Sequence, residues 1–300
     1  MRTLPLLLLV GCGDVSNAWI LEDAEFVSAL PDSDRHTVAL ESTDLTKGVE
    51  DWPELLALSY GVSRDVNALI LQVLWSVDYV RTLPPDTRTE DGRRWGPYAW
   101  DEGVEFEIWV ERAGPGRFDW GADAIGPVGT APYVVGTHYA GDTVAAGDGQ
   151  FTWTVDAVAE MIGDPSRGTL VVDYDNRDGI DLLVELVDVT DGSEDATNAM
   201  YAYQLIGEEG DFQYRTAADL GAADGRIEDI AVRTRWNRET GGRSDATVSG
   251  GSLVGADELW SQCWNDTLSQ TYQADTYGWF AEEGAESDCA YTSFGAVDRL

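Results

Sequence analysis

From Arg94 to Trp236 the apolar residues recur with a period of two, and that period restricts the chain to a small set of folds. Val104, Phe106, Ile108 and Val110 alternate with Glu105, Glu107, Trp109 and Glu111. Phe151, Trp153 and Val155 alternate with Thr152 and Thr154, and Leu170, Val172 and Tyr174 continue the rhythm. Tyr201, Tyr203 and Leu205 follow it, as do Ile230, Val232, Thr234 and Trp236. A period of two sends alternate side chains to opposite faces, so these segments are strands with one face buried and one in water. Turn chemistry separates them: Ala113-Gly114-Pro115-Gly116, Asn176-Arg177-Asp178-Gly179, Gly207-Glu208-Glu209-Gly210 and Thr240-Gly241-Gly242. The turns follow too closely to leave room for crossover helices, which excludes a parallel sheet.

One long segment has a different period. Between Pro53 and Leu83, residues Val62, Val66, Leu69, Ile70, Val73, Val77 and Val80 recur at steps of three and four, the spacing of one helix face. Trp52-Pro53 suits a helix start, Gly61 is expected to divide the helix, and Pro84-Pro85 stops it. Asp156 to Ile162 suits a short helical insertion. Residues 13–51 mix polar turns with short apolar runs and are expected to form a tether, then irregular or strand-like structure. With 43% hydrophobic residues the chain can pack a core. The expected fold is therefore mainly β with one long amphipathic helix, the antiparallel meander forming a curved sheet or incomplete barrel. This arrangement resembles the lipoprotein carriers and lipid-binding lipoproteins of the bacterial periplasm, and such architectural likeness does not transfer function.

The chain begins MRTLPLLLLVGCGD. Arg2 supplies a positive start and Leu4 to Val10 an apolar stretch far shorter than the ~20 residues a bilayer span requires, so residues 1–11 are expected to be an export signal. Leu9-Val10-Gly11-Cys12 resembles the bacterial lipoprotein signal. The resemblance implies a diacylglyceryl thioether on Cys12, cleavage before it, and acylation of the new amino terminus. Residues 12–25 would then be the lipidated cysteine and a short tether, and 26–300 a single β-rich domain. Gly13 after the cysteine implies, by the same resemblance, sorting to the outer membrane of the cell envelope, with the membrane contacted through the acyl chains.

Lipidation of Cys12 would leave Cys263 and Cys289 of the three cysteines. In an oxidising compartment these are expected to pair, closing a C-terminal segment. A zinc site is disfavoured, because His36 and His138 are the only histidines and neither has ligand spacing. The C-terminal third carries a second resemblance. Trp236-Asn237-Arg238, Gly241-Gly242-Arg243-Ser244-Asp245-Ala246, Val248-Ser249-Gly250-Gly251, Cys263-Trp264-Asn265 and Ser287-Asp288-Cys289 resemble uncharacterised lipoproteins of myxobacteria and their relatives. That resemblance implies a loop closed by the paired cysteines and carries no catalytic assignment.

Charge narrows the partners. With 55 Asp and Glu against 19 Lys and Arg the formal net charge is −36, which excludes a nucleic-acid backbone as a partner. Trp109, Trp120 and Trp153 are candidate ligand-binding residues, since aromatic linings hold sugars and apolar ligands. Trp109 stands out because its same-face neighbours are Glu105, Glu107 and Glu111. Asp173, Asp175, Asp178 and Asp181 are candidate metal ligands, of the type Ca²⁺ prefers, but Arg177 and Val184 break the EF-hand pattern and a hairpin tip explains the segment as well. No cofactor is otherwise expected, and no G-x-S-x-G, H-E-x-x-H or P-loop is present. The expected function is a non-enzymatic envelope lipoprotein that binds a hydrophobic small molecule or an envelope protein at the membrane surface. The alternative is an envelope polysaccharide hydrolase using paired carboxylates. A cleft with two carboxylates ~5–9.5 Å apart would mark the hydrolase, and an apolar cleft the carrier.

Overall fold

The computed structural model describes residues 17–40, 52–101, 103–192, 196–218, 225–253 and 257–300. Residues 1–11 and Cys12 lie outside them. The described strands form one antiparallel sheet in which each strand bonds its neighbours in sequence. They run β1 (Thr87–Arg88), β2 (Gly92–Asp101), β3 (Val104–Gly114), β4 (Arg117–Gly126), β5 (Gly129–Thr143), β6 (Ala146–Thr154), β7 (Arg167–Asp175) and β8 (Ile180–Thr190). The meander continues through β9 (Thr197–Ile206), β10 (Glu209–Ala218), β11 (Glu228–Asn237), β12 (Gly241–Gly250), β13 (Glu258–Trp264), β14 (Gln270–Asp275) and β15 (Glu283–Gly284). β1 and β15 do not pair, so the sheet stays open. The helices are α1 (Asn17–Ser28), α2 (Glu54–Arg81) and α3 (Val155–Ile162), the last inserted between β6 and β7.

The core lies between α2 and the inner face of the sheet. The apolar phase of each alternation points there: Phe106, Ile108 and Val110 from β3, Phe151 from β6, Val172 from β7 and Val184 from β8 are each at most 1% exposed. α2 answers with Val66, Ile70, Val73, Val77 and Val80, also at most 1% exposed. Burying side chains of this size contributes ~1.5–3 kcal/mol each. Polar contacts fix where the helix lies. The Leu55 N–H donates to Gln262 Oε1 on β13 at 2.7 Å. Ser59 and Thr234 of β11 share a hydroxyl bond of 2.6 Å, and Ser76 and Tyr133 of β5 one of 3.1 Å. α2 therefore spans the sheet from its C-terminal strands to its N-terminal ones.

Two local expectations are corrected. Gly61 does not divide α2, which continues through it with Pro53 at its N-cap. Residues 17–28 are neither tether nor strand-like but helical. Tertiary contacts explain α1. Asp23 holds Arg93 at 2.6 Å and Arg88 at 2.9 Å, Glu25 holds Arg112 at 3.0 Å, and Phe26 lies edge-on to Phe118 beneath the Arg93 and Arg112 guanidiniums. A short helix gains most of its stability from such packing, which local periodicity does not carry. α1 is thus attached to the sheet through Asp23, Glu25 and Phe26, and Trp19, Ile20 and Leu21 in its first turns are exposed.

The expected disulfide is present. Cys263 of β13 is bonded to Cys289, with 5.5 Å between the Cα atoms.

Candidate functional site

A cleft of about 580 Å³ opens between the C-terminal half of α2 and the inner face of β2, β5 and β6. Trp75, Leu71, Trp100, Tyr133 and Trp153 wall it, and Gln72 supplies a polar side chain at its edge. The alternation that buries Phe151 brings Trp153 to the same face two residues later. Trp100 and Tyr133 arrive by another route. Ala99 pairs with Glu105 and Asp101 with Val104, so Trp100 is an extra residue in β2. Ala122 pairs with Val134 and Asp123 with Pro132, so Tyr133 is an extra residue in β5. A β-bulge re-aims a side chain, and two bulges here deliver two aromatic rings to one cleft. Their centroids are 5.1 Å apart.

The helix side is built by an i, i+4 pair. Trp75 and Tyr79 stack at 6.3 Å, with Trp75 tilted against Phe106 at 6.1 Å. Trp75 is 55% exposed and Leu71 43%, so the wall faces the opening. At the base, the buried Tyr133 phenol bonds the Ser76 hydroxyl, and burial pushes its pKa up to about 12. It is a neutral hydrogen-bonding group at any ordinary pH. Among the described residues no carboxylate lines the cleft. The arrangement can take an apolar body against aromatic faces and orient one polar end.

The three candidate tryptophans part company. Trp153 lines the cleft. Trp120 is wholly buried against Phe151, 5.7 Å away between ring centres, and serves as core. Trp109 is on the other side of the sheet, half-buried on the outward face of β3. The sequence held a signal for Trp75 that the stripe from Val62 to Val80 concealed. Leu71, Trp75 and Tyr79 form a second apolar row at i, i+4 and i+8 on the exposed side of the same helix.

The acidic segment forms the tip of the β7–β8 hairpin. Asp173 accepts from Gln150 Nε2 at 2.8 Å, Asp175 accepts from the Arg177 N–H and Nε, and Asp181 is bonded by Arg299 and Gln204. Arg177 holds the Asp175 carboxyl below the usual range. Among the described residues no group of three or more His, Cys, Asp or Glu is placed to hold a metal ion.

Comparison with protein-family models, curated proteins and solved structures finds no match to this chain.

Proposed function

We propose that the protein is a lipid-anchored envelope protein that binds a hydrophobic small molecule, of the fatty-acid or single-acyl-chain class, in the cleft beneath α2. The observation that carries this reading is the convergence of Trp75, Trp100, Tyr133, Trp153 and Leu71 on one open, mainly apolar cleft. Its volume of about 580 Å³ falls in the range of small-molecule sites. The Gln72 side chain at its edge is suited to the polar end of such a ligand. The anchor would be the acyl chains on Cys12, which lies five residues before α1. The exposed Trp19-Ile20-Leu21 run supports placing that end of the domain against a membrane. The hydrolase alternative gains nothing from this cleft, to which no described residue brings a carboxylate.

Titration with the fluorescent fatty acid cis-parinaric acid tests the cleft. Energy transfer from tryptophan is expected on binding, and Trp75→Ala and Trp153→Ala are each expected to weaken it about tenfold. Absence of binding, or unchanged binding in both variants, overturns the reading. Cys12→Ser tests the anchor separately: it is expected to release the protein from membranes while leaving cis-parinaric acid binding intact.

A further inference from the structure

The outward face of β3–β7 carries a second, chemically different groove. It has a volume of about 590 Å³ and lies across the sheet from the core. Trp109 sets one end. A Cβ on Gly121, its cross-strand partner, would meet Trp109 Cζ2 at 2.7 Å and Cε2 at 2.9 Å, so the indole lies over bare main chain. Asp123 accepts a hydrogen bond from the Trp109 side chain, which fixes the ring in its plane. One ring face is thus seated on the sheet and the other is presented outward.

A row of polar side chains crosses the groove beside it. Asp119, Thr137, Gln150 and Asp173 are successive cross-strand partners on β4, β5, β6 and β7. The Thr137 hydroxyl donates to Asp119 at 3.1 Å and Gln150 Nε2 donates to Asp173 at 2.8 Å. Tyr139, 46% exposed, stands at the far end. By strand geometry, four residues along and two strands across place the Trp109 and Tyr139 backbones ~17 Å apart. Gly136 and Gly149 face inward, where the Trp120 and Tyr174 rings occupy the space that their side chains would take.

We propose that this face binds a neutral glycan chain. A sugar ring offers an apolar C–H face and a rim of hydroxyls, and this groove offers a pinned aromatic ring beside a row of immobilised acceptors and donors. Pre-ordering those side chains lowers the entropy lost on binding. The charges choose among polymers. Asp119, Asp148 and Asp173 line the groove, while Arg117 is bonded to Asp119 and Arg177 to Asp175 and Asp148. An acidic polysaccharide would meet three carboxylates and no free guanidinium from either arginine. A purely apolar ligand would strip water from those carboxylates without replacing its hydrogen bonds, which is costly. An uncharged polyol fits, because its hydroxyls can donate to the carboxylates.

Affinity electrophoresis of the full chain tests this, with laminarin, hydroxyethylcellulose, dextran and amylopectin as neutral polymers and alginate and polygalacturonate as acidic ones. At least one neutral polymer is expected to retard the protein, and neither acidic one. Trp109→Ala is expected to weaken retardation about tenfold, with partial recovery in Trp109→Phe. Tyr139→Ala removes an exposed ring that the fold does not need, and is expected to weaken it several-fold; it decides the matter if Trp109→Ala fails to fold. Cis-parinaric acid binding should be unchanged in both, which separates this groove from the cleft beneath α2. Retardation by no neutral polymer, equal retardation by the acidic ones, or native retardation in a folded Trp109→Ala variant and in Tyr139→Ala overturns the proposal.

Discussion

The two ends of the sheet treat their outward faces in opposite ways. On β3, Glu105, Trp109 and Glu111 reach solvent while Val104, Phe106, Ile108 and Val110 are buried. On β12, every residue from Gly241 to Ala246 is buried, so both faces are covered. The inner cover is α2, reached through Ser59, Thr234 and Ser244. The outer cover is the C-terminal segment, residues 285–300. Glu286 and the Tyr291 carbonyl hold Arg243, the Ser293 carbonyl holds Arg235, and the Gly295 N–H donates to Asp245. The Cys263–Cys289 bridge clamps this strap to β13. An open outward face can keep charged side chains hydrated. A covered one must pair every charge that it removes from water.

The largest expected effect follows from that pairing. Asp245 is buried and receives Arg243 Nε at 2.7 Å, Arg235 Nη2 at 2.9 Å, the Ser261 hydroxyl at 2.6 Å and the Gly295 N–H at 2.9 Å. Asp245→Ala would remove one of the two carboxylates that hold Arg243 at 2.7 Å, the buried one, and should destabilise the protein by ~3–5 kcal/mol. Asp119→Ala, at the open end, removes a surface pair with Arg117 and should cost ~1 kcal/mol or less. Urea midpoints measured for both variants check the contrast. Similar losses would mean that the strap does not set the two ends apart.

The strap itself is the next test. Replacing Cys263 and Cys289 by Ser releases a cross-link that spans 26 residues, with an expected loss of ~3 kcal/mol. Amide hydrogen exchange should then quicken first in residues 285–300 and on β12 and β13, with β3 to β7 still protected. Faster exchange at β3 to β7 first would reverse the assignment of the clamp.

The same contrast explains what could be read from the sequence. Alternation reports a strand only when its two faces meet different surroundings. β3, β6, β7, β9 and β11 qualify and were legible, together with α2 and the insertion α3. β12, with the sequence GGRSDATVSG, was not, because Arg243 and Asp245 on its outward face are buried as deeply as Ala246 on its inward one. The site was legible in part. Trp153 follows the alternation, and Trp109 was marked by its acidic neighbours. Trp100 and Tyr133 reach the cleft through bulges, which period-two reasoning passes over, and α1 is held by ion pairs between residues 65 and more positions apart.

The open half has its own pH-sensitive element. His36 is 2% exposed, packs edge-on to Tyr174 at 4.4 Å and donates from Nδ1 to the Asp32 carbonyl at 2.7 Å. Burial lowers its pKa from 6.5 to about 4, against the opposing pull of Asp32. The unfolded chain therefore binds a proton that the folded one refuses. Stability should be full above pH 6.5 and fall as the pH drops toward about 4, by ~1 kcal/mol between pH 7 and pH 5.5. Urea titrations at those two pH values check this, and His36→Phe should reduce the slope, leaving the part that belongs to His138, whose pKa burial also lowers. An unchanged slope would place the sensitive group elsewhere.

The smallest effect has the opposite sign and concerns the element that joins the two halves. α2 is tied to β13 and β11 by Leu55 and Ser59 and to β5 by Ser76, and Gly61 lies just past the first pair of ties. Glycine inside a helix costs ~0.5–1 kcal/mol relative to alanine, because it has more backbone freedom to lose on folding. Its retention would make sense if a side chain clashed there or if the helix had to bend. Beyond the helix's own backbone, no atom of the described residues lies within 4 Å of a Cβ built on Gly61, and α2 is continuous through it. Gly61→Ala should therefore raise stability by ~0.5–1 kcal/mol, seen as a higher urea midpoint at unchanged m-value. If α2 is a rigid strut between the covered and open halves, cis-parinaric acid affinity should not change. A variant that gains stability and loses that affinity would make Gly61 the hinge through which the helix opens the cleft, and the halves would then be coupled by motion rather than held apart by the strut.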